Sequence, residues 1–100
     1  MPYIIEATDK PDSQQLRQQT RPEHLAYLER NTDRLLLAGA KWTDDEQRAT
    51  GSVLIVDVDT REEAESFAAN DPFARAGVFA EVAISRYRVA FLDRSNRLPA

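Results

Sequence analysis

The spacing of apolar residues changes along the chain, and each change marks an element. Tyr3-Ile4-Ile5-Glu6-Ala7 has the composition of a strand, and the turn-forming cluster Asp9-Lys10-Pro11-Asp12-Ser13 ends it. Pro22 suits the first turn of a helix, where its missing N–H has no intrahelical partner. Leu25, Leu28 and Thr32 follow at spacings of three and four, so a helix is predicted over about 21–32, preceded by an irregular helical turn from Ser13 to Gln18. Arg34 to Lys41 is apolar but short and closes near Gly39, which reads as a second strand. Trp42 to Thr50 is a polar loop. Gly51-Ser52-Val53-Leu54-Ile55-Val56-Asp57-Val58 is rich in β-branched residues and apolar on both faces, so both faces need cover.

Thr60-Arg61-Glu62-Glu63 has the form of a capping box, with Ala64, Phe67 and Ala68 as the buried stripe of the helix it opens. Asp71-Pro72 starts a further helical turn, Asp as cap and Pro at the first helical position, and Gly77 closes it. Val78 to Phe91 reads as a long last strand. Its Val82 and Ile84 share one face and Tyr87, Val89 and Phe91 the other, so a bulge or a switch of burial partner is expected near Ser85-Arg86. The tail from Asp93 to Ala100 is expected to be frayed.

The order β-α-β-β-α-β is that of the ferredoxin-like split motif. It predicts an α+β fold with a four-stranded antiparallel sheet and both helices on one face. Those helices leave the second apolar face of the third strand uncovered. A second copy laid sheet against sheet would cover it, so a homodimer through the sheet face is expected.

With 100 residues the chain makes a single domain, 1–100. Its formal charge of −4, without a basic cluster interleaved with aromatics, argues against a nucleic-acid partner. No segment approaches bilayer-spanning length and the N-terminus has no signal-like pattern, so a cytoplasmic protein without a membrane partner is expected. Zero cysteines and one histidine leave no thiolate chemistry and no ordinary zinc ligand set, and nothing in the sequence calls for a cofactor.

Chemistry therefore falls to His24, carboxylates, hydroxyls, backbone groups or a bound cofactor. At about the third position of the predicted helix, His24 would sit near the positive helix end, which favours a neutral, base-competent ring; a lone His is more often a half-buried ring satisfied by a carbonyl. Asp71 is fully explained as a cap, and a catalytic role requires it to reach His24 and fix its tautomer. Arg21 could bind an anionic substrate or cover the helix start with its stem. Ser52 and Thr50 flank Gly51 with hydroxyls, and Trp42 could wall a pocket or pack on a partner subunit. Glu62 and Glu63 are most simply helix-start charges.

From Tyr3 to about Val89 the chain resembles the YciI-like (YCII-related) family. The features that carry this are Tyr3 to Ser13, Arg21-Pro22-Glu23-His24-Leu25, Leu37-Ala38-Gly39-Ala40, Gly51-Ser52-Val53, and Asn70-Asp71-Pro72-Phe73-Ala74-Arg75-Ala76-Gly77-Val78-Phe79. Where many members have Pro after the Ala-Gly of strand two, this sequence has Ala40-Lys41-Trp42. The resemblance implies a dimeric α+β barrel and an active-site pair that falls on His24 and Asp71. Members without an assigned reaction are common, and one relative is a dehydrochlorinase of a chlorinated aromatic diol or triol. The expected function is proton transfer on a small, oxygenated or aromatic metabolite, with His24 as base, Asp71 as its orienter, and Arg21, Ser52 and Trp42 toward the ligand. The alternatives are a non-catalytic dimeric module for metabolite binding or assembly, and cofactor-free oxygen chemistry.

Overall fold

In the computed structural model, which describes residues 1–99, strand β1 (Tyr3–Asp9) runs through the interior of the sheet. It pairs antiparallel with β3 (Ala49–Val56) on one side and β4 (Phe79–Arg86) on the other, and β2 (Leu35–Trp42) pairs with β3, giving the order β2-β3-β1-β4. Helix α1 (Gln14–Arg30) connects β1 to β2 through a 3₁₀ turn at Thr32–Arg34, and α2 (Arg61–Asn70) with the short α3 (Pro72–Ala76) connects β3 to β4. This is the ferredoxin-like α+β arrangement that the element order predicts.

Alternation along the strands decides what is buried. Tyr3, Ile5 and Ala7 of β1 and Leu54 and Val56 of β3 point to the helices and are buried, with Val58, Ala64, Phe67 and Ala68 closing the core around them. Burial of each large side chain here contributes about 1.5–3 kcal/mol. The other face carries Ile4, Val53 and Ile55, half-buried, with Leu37 45% exposed beside Ile55. The buried core of the strands lies on the helix side, and none of these four residues belongs to it.

Three larger departures from the sequence reading stand beside shifts of one or two residues at the ends of β2 and β3, whose strands take in Trp42, Ala49 and Thr50 of the expected loop. First, α1 starts at Gln14 and runs through Pro22. Pro22 lies inside the helix and deprives the Gln18 carbonyl of its usual i+4 donor. His24 is therefore mid-helix, and the helix end does not act on it. Second, β4 stops at Arg86, because its partner β1 begins at Tyr3: the register is Tyr3↔Arg86, and the last link is Tyr87 N–H to the Pro2 carbonyl. Tyr87, Val89 and Phe91 thus do not continue the strand. Third, the tail folds back as a two-stranded ladder of β5 (Phe91–Leu92) and β6 (Ser95–Asn96) across Asp93 and Arg94, both at positive φ. Ala100, counted in the frayed tail, lies outside the described residues.

The caps follow the sequence more closely. Thr60 Oγ1 accepts from the Glu63 N–H, and its hydroxyl donates to the Glu63 carboxylate, so Glu63 reaches the cap hydroxyl rather than the cap amide. Gly77 ends α3 at φ 84°, a conformation that a side chain makes costly.

Candidate functional site

The inner face of α1 is polar where it passes the sheet. Arg17, Thr20 and His24, at spacings of three and four, are its buried residues. Opposite them, Pro72 sets the conformation of the residue before it: a following proline excludes the helical region, and Asp71 is extended at φ −61°, ψ 127°. That aims the Asp71 carboxylate at α1 while the residue still opens α3.

One oxygen of Asp71 does both tasks. Oδ1 accepts from the Phe73 N–H at 2.9 Å and lies 2.7 Å from His24 Nδ1. Asp71 is 1% exposed and His24 7%, so the pair is dry on the protein side. A carboxylate accepts only, so His24 Nδ1 carries a proton toward it and a neutral ring presents Nε2 as its free base. Nε2 has no hydrogen-bond partner among the described residues, and His24 lines the large cleft described below. Oδ2 of Asp71 is buried without a partner, beside a small cavity of about 10 Å³ that Ser52 also lines.

The ring of Phe73 stacks on His24 with centroids 4.0 Å apart and planes 18° apart, and the guanidinium carbon of Arg17 sits 4.4 Å from the same ring. Arg17 is anchored from behind: Nη1 donates to both oxygens of Asp9 at 2.9 Å, and Nη2 to the Gly51 carbonyl at 3.1 Å and to Ser52 Oγ at 2.9 Å. Its bonds are thus committed to the scaffold, and it ties the end of β1, the start of β3 and α1 into one body.

The cleft measures about 520 Å³ and runs between α1 and the β2 edge of the sheet. Along α1 it is lined by Arg17, Arg21, His24, Leu25 and Leu28; Ala38, Gly39 and Ala40 form the opposite side, with Trp42, Arg48 and Phe73 around it. Among the described residues no Asp or Glu lines it, although the chain as a whole is negative.

The sequence-derived candidates fall as follows. His24 and Asp71 meet. Arg21 and Trp42 line the cleft, both exposed and Trp42 by 56%. Ser52 is 3% exposed and does not line the cleft; its hydroxyl holds Arg17. Three contributors were missed: Arg17, Phe73 as the platform, and Arg48. Arg17 stands seven residues before His24, which places both on one helix face, and that spacing is the signal that could have found it.

The profile of the YCII-related domain matches residues 1–88. Protein YciI of Escherichia coli O6:H1 is 39% identical, the match covering 91% of this chain and all of that one. A protein of Haemophilus influenzae is 34% identical with the same coverage. Among solved structures, the 5-chloro-2-hydroxyhydroquinone dehydrochlorinase TftG of Burkholderia phenoliruptrix, in complex with 2,5-dihydroxybenzoquinone, superposes with a TM-score of 0.81 at 35% identity, covering 88% of this chain and 94% of that one.

Proposed function

The chain belongs to the YCII-related domain family, and we propose that it is a small enzyme that moves a proton on an oxygenated aromatic or similarly planar metabolite, in an elimination or isomerisation. The observation that carries this is the 2.7 Å contact between the buried Asp71 and His24, a residue of the cleft wall, with Nε2 free of any partner among the described residues. His24 acts as the base; Asp71 holds the Nδ1–H tautomer and stabilises the charge that develops on the ring. The likeness to a dehydrochlorinase supports elimination as the form of the reaction. In that form the ring first tautomerises, one hydroxyl proton moving to the chlorine-bearing carbon; a remaining O–H proton then passes to Nε2, its bond electrons move through the ring system, and chloride leaves with the C–Cl pair. The net loss is HCl, and no oxidant or reductant is needed.

The same proposal includes a homodimer. Ile4, Val53, Ile55 and Leu37 form an apolar strip on the uncovered sheet face, which a second copy would bury.

The decisive experiment is chloride release from 5-chloro-2-hydroxyhydroquinone and from halogenated analogues of varied ring size, by wild type and by His24→Gln. Release by the wild type, abolished in the folded variant, supports the proposal; equal rates in both would overturn the role of His24. Light scattering at micromolar concentration should report a dimer, and a monomer there would refute the sheet-face pairing.

A further inference from the structure

We infer that the cleft takes small planar organic anions, and that Arg21 and Arg48 grip the anionic group. This deepens the proposed function by naming the charge and shape of its substrate.

Three basic side chains line the cleft, and they are not equivalent. Arg17 spends its charge on Asp9, with both Nη atoms bound to the scaffold. The side chains of Arg21 and Arg48, in contrast, make no hydrogen bond or ion pair among the described residues, and both residues are exposed. Arg21 projects from α1 and Arg48 from the loop between β2 and β3, so they reach the cleft from different elements. The acids of that loop do not line the cleft, and Asp45 is already bound by the Thr43 hydroxyl and the Gln47 N–H, with its carboxyl held below its ordinary range first by those bonds and then by the nearby Arg48 charge.

A protein of net charge −4 thus concentrates free positive charge at one cleft and keeps carboxylates off its walls. Focused potential of that kind raises the local concentration of anions and orients them. Guanidinium groups bind carboxylate, phenolate and phosphate oxygens in their own plane.

Shape supplies the second half. On the sheet side the lining is Ala38-Gly39-Ala40, a strip with almost no side-chain relief, and a Cβ added at Gly39 would meet nothing within 4 Å. Across from it, Phe73 carries His24 flat against its ring. A flat strip on one side and a flat imidazole held by Phe73 on the other suit a planar ligand better than a branched one.

Trp42 is the single tryptophan, so its indole N–H resonance reports on the cleft without labelling a second site. Wild-type protein is titrated with 4-hydroxybenzoate, with its neutral isostere 4-hydroxybenzamide, with phenyl phosphate, and with inorganic phosphate at matched ionic strength. The benzoate or the phenyl phosphate should bind about tenfold or more tightly than the benzamide, and inorganic phosphate should bind more weakly than either ring-bearing anion. Arg21→Gln and Arg48→Gln should each weaken the ring-bearing anion about tenfold, whereas Arg48→Lys, which keeps the charge, should lose only about threefold. Equal binding of benzamide and benzoate overturns the anion, and equal binding of inorganic phosphate and phenyl phosphate overturns the planar ring. Unchanged affinity in both glutamine variants, with folding verified by their amide spectra, overturns the clamp. The readout is equilibrium binding, so anion binding without chloride release defeats the catalytic proposal alone, and turnover of neutral substrates only defeats this one.

Discussion

Replacing Arg17 by Met would test whether the site is held together by one buried ion pair. The side chains of Arg17 and Asp9 are 9% and 7% exposed, and the guanidinium makes four hydrogen bonds at 2.9–3.1 Å, two of them to the carboxylate. Methionine keeps most of the packing on Phe73 but leaves the Asp9 carboxylate dry and unpaired. Breaking a buried pair from one side costs about 3–5 kcal/mol, a large part of the roughly 5–15 kcal/mol that holds a domain of this size. With a urea m-value of about 1–1.5 kcal/mol/M, the midpoint should fall by about 2–5 M. Adding Asp9→Asn to Arg17→Met removes the stranded charge and should recover about 1–3 kcal/mol. Urea unfolding followed by circular dichroism measures all three proteins. A loss below about 1 kcal/mol in Arg17→Met would show that solvent screens the pair. A double variant no more stable than the single one would place the cost in packing against Phe73 instead.

Asp71→Asn would be nearly neutral if the residue were only a cap. Here it sets a buried amide where Oδ2 has no partner, so a loss of about 1–3 kcal/mol in urea unfolding is expected, and a loss below about 0.3 kcal/mol would reveal an acceptor at that oxygen. Tyr27 donates its hydroxyl to the Phe67 carbonyl at 2.9 Å, so Tyr27→Phe should cost about 1 kcal/mol at neutral pH. Burial, and then the negative charge of Asp71, push the Tyr27 hydroxyl above its ordinary 10.0. A raised folded value means that its stabilisation is complete below pH 10 and is lost as the pH climbs through that value. Alkaline unfolding should thus be steeper in wild type than in the Phe variant, and identical slopes would remove Tyr27 from the balance. Gly51→Ala would bring a methyl carbon 2.2 Å from the Ala7 carbonyl oxygen and 2.6 Å from Lys41 Cε, forcing strands apart. A drop in Tm of about 10 °C or more is expected, and a calorimetric change of a few degrees would show that the strands can shift.

The strands that carry the core were legible because their burial is apolar and alternates: Val53 to Val56 read as a strand needing cover on both sides, and their two faces divide as the pattern required. The first half of α1 was not legible, for a physical reason. Its inward residues are Arg17 and Thr20, polar groups whose burial depends on Asp9, Ser52 and the Gly51 carbonyl, while Leu16 and Leu25 point outward at 37% and 43% exposure. Hydrophobic periodicity cannot see a helix face built for polar contacts. The end of β4 depended on where its neighbour begins, and no local signal holds that. Asp71 was readable as a cap from Asp-Pro alone, and its pairing with His24 came only from family resemblance, because a contact across 47 positions leaves no trace in spacing.

Because a single oxygen of Asp71 both starts α3 and holds His24, the alignment of the imidazole is an equilibrium property of five residues of helix. Each time that short helix frays, the Phe73 amide is released and the imidazole loses its anchor in the same event. The exchange rate of one backbone proton with solvent water therefore counts how often the site is out of register, before any substrate is known.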